Sequence, residues 1–419
     1  MFHNHAHSQL SRKKFVSLLA SIPLVWASPL NASLQAKKYQ GLPAKEEFEI
    51  KGTYLNAAYT HPMSKGSYQE VQQFLNERLM NGSIPANYDG FDRTDSLNNF
   101  AKLINASPEE IAWVPSTMVG ENLVVSGLGI PHSNARVVTD AFHFHGSLHM
   151  YGQLAKTGID LVVVKPTNNQ INLEDLDKAI KPGTKLVAIS LVSATTGFQH
   201  DLKKVCEIAH AKGAMVYADI IQAAGAIPID VKDSNVDFCA CATYKWLMGD
   251  FGIGFLYVRK DLLPNMKRTM FGYRQMTDFK SHILPFEQPS EKVFESSSLS
   301  NMSGHFEVGT FANEGIVALR YSLAYLNRIG VETIQKYRQP LIDLMQDNIP
   351  DEKFIALTPL HSDSPIVCFA YQNAATILKP KLDKAGINIS IYDNYIRISP
   401  SFYNDLHEVE YLINTLKKS

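Results

Sequence analysis

The sequence predicts an α/β fold: a mainly parallel sheet with helices on both faces. Three observations carry this. Apolar runs of strand length alternate with helical patterns between about residues 113 and 258, and repeated strand–helix–strand units call for parallel strands buried on both sides. Polar residues able to do chemistry, Asp140, Ser193, Asp219 and Lys245, fall where successive runs end, and open α/β sheets gather their ligands at that edge. With 419 residues, 45% of them hydrophobic, the chain is long enough for a large core and a second, smaller domain.

The net charge of −1 gives no electrostatic case for a nucleic-acid partner. No repeat of fixed period is visible, and no apolar segment of membrane-spanning length follows the first few dozen residues. The four cysteines, Cys206, Cys239, Cys241 and Cys368, each stand inside an apolar segment, where a small buried thiol is the default. The start differs. Ser11-Arg12-Lys13-Lys14-Phe15 precedes an apolar stretch from Val16 to Trp26, broken by Pro23, and small residues follow to Ala36. That order reads as a signal peptide over residues 1–36; a short amphipathic helix of the mature chain is the alternative.

In chain order, a polar linker over residues 37–52 leads to Tyr54-Leu55-Asn56-Ala57-Ala58, a short strand and its turn. Gly66 to Met80 reads as a helix and Asn81 to Arg93 as a loop. Trp113 to Asn122 reads as strand, turn and helix start. Free amides at a helix N-terminus favour an anion, so Thr117 and the backbone of Met118 suit a phosphate, with a plain Ser/Thr cap as the alternative. Ala135 to Thr139 is a strand ending in Asp140, followed by Ala141-Phe142-His143-Phe144-His145-Gly146-Ser147. His143, His145 and His149 have no carboxylate or cysteine at ligand spacing, so no metal is expected. Leu161 to Lys165 and Lys185 to Val192 are strands separated by a helix, Leu173 to Ile180. The helix Leu202 to Ala211 then delivers a strand over Gly213 to Asp219.

The stretch from Tyr217 to Val258 holds the densest chemistry. One apolar run ends in Asp219, with Gln222 close behind; a second, Phe238 to Ala242, ends in Thr243, Tyr244 and Lys245. About one crossover separates the acid from the lysine, which brings both to one sheet edge. An isolated lysine after an apolar run is usually a strand end reaching water. Here Trp246 and Leu247 can desolvate it, which lowers an amine's pKa and frees its lone pair for Schiff-base chemistry.

These residues resemble, in the spaced motif A-D-x-x-Q … T-Y-K-W-L, the class V aminotransferase-like enzymes that use pyridoxal phosphate (PLP). That family includes cysteine desulfurases, kynureninase and isopenicillin-N-epimerase-like proteins, and the resemblance covers roughly residues 50 to 419. It implies the PLP-dependent transferase fold, aspartate aminotransferase-like: a large domain over residues 53–312 with a mainly parallel seven-stranded sheet, and a small C-terminal α+β domain over residues 313–419. It implies Lys245 as the Schiff-base lysine and Asp219 as partner of the pyridinium nitrogen. His143 is the better match to the residue stacked on the ring, with His145 its competitor. Thr117, Met118, Thr243 and Tyr244 match phosphate contacts. Ala194 stands where desulfurases carry an asparagine that reaches the ring hydroxyl, so Ser193 or Gln222 takes over that contact or it is lost. Asn56 borders the pocket.

After Val258, Phe271 to about Ser300 reads as a long, polar, irregular segment, in which Arg274 faces substrate or solvent. Glu307-Val308-Gly309-Thr310 resembles the family segment whose Gly309 and Thr310 reach the phosphate of a neighbouring subunit, which implies a homodimer; a helix N-terminal turn is the alternative. Helices follow over Asn313 to Arg328 and Val331 to Gln346, then strands near Pro365 to Ala370 and Ile387 to Ile391, and a final helix from Asp405. Arg397 alternates with apolar neighbours and wants an anion; in relatives the matching arginine clamps the substrate α-carboxylate, and a structural salt bridge is the alternative. The expected activity is that of an aminotransferase or isopenicillin-N-epimerase-like enzyme on an amino acid or amino-acid-containing metabolite, with a lyase or kynureninase-type hydrolase as runner-up. Desulfuration is disfavoured because Lys384 to Arg397 contains no cysteine. Ser11 to Phe15 resembles the twin-arginine export signal, with Lys13 in place of the second arginine. Export of a folded, cofactor-loaded protein to the periplasm is therefore expected, with the cytoplasm as the alternative.

Overall fold

The computed structural model describes residues 38–82 and 93–418; the leader at 1–36 and most of the loop at 81–93 lie outside the described residues. A seven-stranded sheet forms the centre, built from β1 (Ile111–Val114), β2 (Arg136–Asp140), β3 (Asp160–Val164), β4 (Thr184–Ser190), β5 (Met215–Asp219), β6 (Phe238–Ala242) and β7 (Gly254–Val258). Their order is β1-β7-β6-β5-β4-β2-β3. Only β7 is reversed, pairing antiparallel with both β1 and β6. The fold class is the α/β one the sequence predicts.

Both faces are buried because both sets of alternating side chains are apolar. Leu186, Ala188, Tyr217, Ala240 and Leu256 face one core, while Val187, Ile189, Ala218, Cys239 and Cys241 face the other, as a sheet covered on both sides requires. The longer helices are α1 (Lys65–Asn81), α2 (Arg93–Leu103), α3 (Thr117–Gly127), α4 (His145–Ala155), α5 (Leu173–Ala179), α6 (Leu202–His210), α7 (Asn313–Ile329), α8 (Val331–Asn348) and α9 (Leu406–Lys417). Their starts are locally encoded. Ser116 caps α3 by accepting from Val119 N at 3.2 Å, Asp201 caps α6 through Lys204 N at 3.1 Å, and Asp405 with Glu408 forms a capping box on α9. Gly120 lets α3 sit close on the sheet, since a Cβ there would lie 2.8 Å from that of Ala240.

The segment at 271–300 departs from its expected irregularity. It is a hairpin of β8 (Met276–Ser281) and β9 (Phe294–Ser298), with Phe279 and Phe294 stacked at 5.5 Å. Ile283, Leu284, Phe286 and Val293 stand exposed on it. These apolar side chains face solvent, so no buried face marks the alternation.

The C-terminal part forms an antiparallel sheet of β10 (Ile355–Ala356), β11 (Val367–Ala370), β12 (Ser390–Ile391) and β13 (Tyr395–Ile398), in the order β10-β11-β13-β12. A two-residue strand at Thr53–Tyr54 pairs in parallel with Ile387–Asn388, so the N-terminal segment joins this smaller unit. Helix α7 packs back on α1 and α2: Ser67 Oγ donates to Ala318 O at 3.0 Å, and Asn327 Nδ2 to Asn99 O at 3.0 Å.

Candidate active site

The ends of β6, β5 and β4 and the start of α3 enclose one cavity. Lys245, Asp219, Gln222, Tyr244, Thr117 and Met118 line it, together with Phe144, Ser190 and Ala194. A wider groove bordered by Asp201, Asp230 and Asp363 opens elsewhere; it contains neither Lys245 nor Asp219, so the chemistry belongs to the smaller site.

Asp219 ends β5 and is buried; its Oδ1 accepts from Ile221 N at 3.0 Å. Burial pushes its carboxyl up to about 6, against the Ile221 amide and the charge of His143. Lys245 follows β6 in a turn closed by Met248 N donating to Lys245 O at 2.8 Å. Burial brings its amine down to about 8, opposed by Asp219 and helped by the Arg397 cation. Each shift favours the neutral form, as desolvation does for either sign of charge. Gln222 is fixed at both ends, donating from Nε2 to Ala58 O and accepting at Oε1 from Trp246 Nε1, each at 3.0 Å.

At the start of α3, Ser116 takes up the amides of Val119 and Gly120. A helix leaves its first amides without intrahelical partners, and here Thr117 and Met118 line the cavity. Thr117 Oγ1 accepts from Ala242 N at 2.9 Å, so its own hydrogen remains to be given. This end of the cavity can take an anionic group.

Three residues expected at the cofactor are placed elsewhere. His143 does not line the cavity: it is buried behind it, with Nδ1 2.9 Å from Ser190 Oγ and Nε2 3.1 Å from Glu121 Oε1. Phe144 takes the cavity wall instead, and the exposed His145 packs against its ring in a tilted arrangement, with centroids 4.2 Å apart. Ser193 turns inward, where its Oγ accepts from Thr195 N and Thr196 N. Thr243 is fully buried and donates to Asp250 O at 2.7 Å, closing the loop before β7.

Arg397 sits on β13, 4% exposed. Its Nη1 donates to Ala194 O at 2.8 Å and its Nη2 to Ser390 Oγ at 3.0 Å. Ser390 Oγ in turn donates to Asn56 Oδ1 at 2.7 Å, so Asn56 braces the arginine. Its Nε is buried without a partner, and among the described residues no carboxylate pairs with it. A buried guanidinium in that condition is an anion site in waiting. Arg274 is outside the cavity, stacked on Phe311 at 4.3 Å with Glu307 3.9 Å from its Nε. Gly309 and the exposed Thr310 are also outside it; Thr310 Oγ1 is 3.2 Å from Tyr273 Oη.

The residues fit pyridoxal phosphate. Thr117 and the α3 amides suit the phosphate, Phe144 the ring face, Asp219 the ring nitrogen and Lys245 the aldehyde, while the orphaned Arg397 Nε asks for a carboxylate. Sequence reasoning missed Phe144, Ser190 and Glu121. Phe144 stands between His143 and His145, the two residues considered for the ring face, and Glu121 is a lone acid among the apolar residues of α3.

Residues 93–412 match the family model described as Aminotransferase class-V. An uncharacterized aminotransferase of Bacillus subtilis, YcbU, is 28% identical over 384 residues, covering 90% of this chain and 96% of the relative. The fold is shared with the apo cysteine desulfurase of Thermococcus onnurineus NA1, with a TM-score of 0.76, 22% identity, and coverage of 91% of this chain and 97% of that one. It is shared also with a lysine-to-alanine variant of C-DES, with glycine covalently linked to its PLP cofactor. There the TM-score is 0.77 and the identity 21%, over 89% of this chain and 98% of that one.

Proposed function

The chain belongs to the class-V aminotransferase family and is a pyridoxal-phosphate-dependent enzyme; from that premise we propose that it acts at the α-carbon of an amino acid or amino-acid-containing metabolite, as an aminotransferase or an isopenicillin-N-epimerase-like enzyme. The observation that carries this reading is that a buried amine, Lys245, and a buried acid, Asp219, line one cavity, while a buried guanidinium, Arg397, stands behind its wall residue Ala194, with its Nε unpartnered and no carboxylate paired with it among the described residues. Bound pyridoxal phosphate supplies an aldehyde that captures amines and a ring that accepts an electron pair.

The chain's own residues do the rest. Arg397, braced by Ser390 and Asn56, holds the substrate carboxylate and so fixes which α-bond faces Lys245. Lys245 is an amine of lowered pKa and would take the α-proton as general base. Asp219, ionised above about pH 6, keeps a proton on the ring nitrogen. Phe144 and Tyr244 form aromatic parts of the cavity wall.

Desulfuration needs a reactive thiolate. All four cysteines are buried, and burial pushes Cys368, opposite Arg397 in the sheet, up to about 12. That supports transamination or epimerisation over sulfur transfer. A homodimer is part of the proposal: Gly309 and Thr310 lie away from their own cavity, where they can complete a partner's, and the apolar hairpin of β8 and β9 favours assembly. So is export directed by residues 1–36.

The test is a screen of amino acids for keto-acid release and for exchange of the α-proton in deuterated water. Lys245→Ala is expected to abolish both signals, and unchanged turnover in that variant would remove the assignment.

A further inference from the structure

Behind the cavity wall runs a chain of polar groups that the chemistry above leaves unused. Glu121, on the inward side of α3, is fully buried. Its Oε1 is 3.1 Å from His143 Nε2, and its Oε2 accepts from Ser147 Oγ at 2.5 Å. His143 Nδ1 is 2.9 Å from Ser190 Oγ, and Phe144 N–H donates to the same oxygen at 3.2 Å. Ser190 ends β4 level with Asp219 on β5 and lines the cavity. A carboxylate, an imidazole and a hydroxyl thus stand in hydrogen-bonded series, and of the three only the hydroxyl reaches the cavity.

We infer that Glu121 and His143 are positioning residues, which fix the Ser190 hydroxyl as a hydrogen-bond donor into the cavity beside Asp219, for the cofactor to accept. A buried carboxylate needs a cation or several donors around it. The groups facing His143 are Glu121 of α3, Asp140 of β2, Asp219 of β5 and the ring of Tyr151 on α4: three acids and a phenol. Burial works against a charged imidazole, but Glu121, Asp219 and Asp140 together outweigh it and hold His143 above its ordinary range. An imidazolium donates from both nitrogens, to Glu121 and to Ser190. Ser190 Oγ then receives two N–H groups, from His143 and Phe144, and its own hydrogen is left to point outward. A neutral His143 that gives its one N–H to Glu121 would instead accept the Ser190 hydrogen, and the cavity would lose its donor.

The inference rests on the pyridoxal phosphate reading only for what the donor meets. Two readouts test it. In nitrogen-15 NMR of the histidines at pH 7, without cofactor and with His143 assigned through His143→Asn, both ring nitrogens of His143 are expected to be protonated. Pyridoxal phosphate dissociation constants, titrated by visible absorbance, are expected to rise about tenfold in Glu121→Gln and in Ser190→Ala. The double variant should be no weaker than either single one, because both changes remove the same donor. A neutral His143 in the wild-type chain overturns the inference whether or not the variants fold, and so do additive losses in the double variant. A wild-type chain that does not bind pyridoxal phosphate overturns the cofactor reading instead, and the histidine spectrum still decides this one.

Discussion

Lys245 and Asp219 occupy one desolvated cavity, and each is pushed toward its neutral form. The lysine consequence is kinetic. Its folded pKa of about 8 means that the free amine fraction climbs about tenfold per pH unit below 8 and levels off above it. The rate at which the cofactor-free enzyme captures pyridoxal phosphate should follow that curve; a rate still climbing past pH 9 would show an ordinary lysine. The aspartate consequence is thermodynamic. Its folded pKa of about 6, above the ordinary 3.8, means the folded chain holds that proton more tightly than the unfolded one. Its stabilising contribution is therefore present below about pH 4 and lost as pH rises through 6. Asp219→Asn should make the cofactor-free protein more stable at pH 7, by on the order of 2–3 kcal/mol, while weakening cofactor binding; thermal melts with and without cofactor check both. At this scale type and strand position in the sequence were enough to single out Lys245 and Asp219, which line one cavity, and Arg397, which is buried against its wall residue Ala194. It did not reveal rotamers. Thr243 and Ser193 carry suitable hydroxyls, but local carbonyls and amides claim them. One residue along a turn exchanges wall for interior, which is why Phe144 and not His143 lines the cavity.

The elements position the site through two turns that touch. Gly225, with φ of +90°, lies so close to the turn after β6 that a Cβ would sit 2.5 Å from Trp246 O. Gly225→Ala should cost about 1–3 kcal/mol, and because the clash lies on the neighbour of Lys245, it should also weaken cofactor binding. Urea midpoints and an absorbance titration read the two effects, and a stable variant with unaltered binding would show that the turns are not coupled. The parallel strands were legible because both faces are apolar and the polar residues at their ends break the run. The hairpin of β8 and β9 was not, because its apolar side chains are exposed and no core imposes a period on them.

The whole molecule gathers its site from distant segments: Asn56, Thr117, Asp219, Lys245 and Arg397 meet although more than three hundred residues separate the first from the last. The seven-stranded order brings β4, β5 and β6 side by side, and the pairing of Thr53–Tyr54 with Ile387–Asn388 carries Asn56 to Arg397. Local sequence patterns cannot specify that last pairing, since two-residue strands leave no periodic trace. If Gly309 and Thr310 act in trans, mixing unfolded Lys245→Ala and Thr310→Ala chains and refolding them together should recover activity that neither shows alone, because one site of each mixed dimer carries no substitution. No recovery would place Thr310 outside the partner's site.

The most direct measurement is chemical. The purified chain is incubated with pyridoxal phosphate, reduced with borohydride, digested and mapped by mass spectrometry. One phosphopyridoxyl group per chain, on Lys245, is the expected result. Label spread over surface lysines, or a bare Lys245, would contradict it.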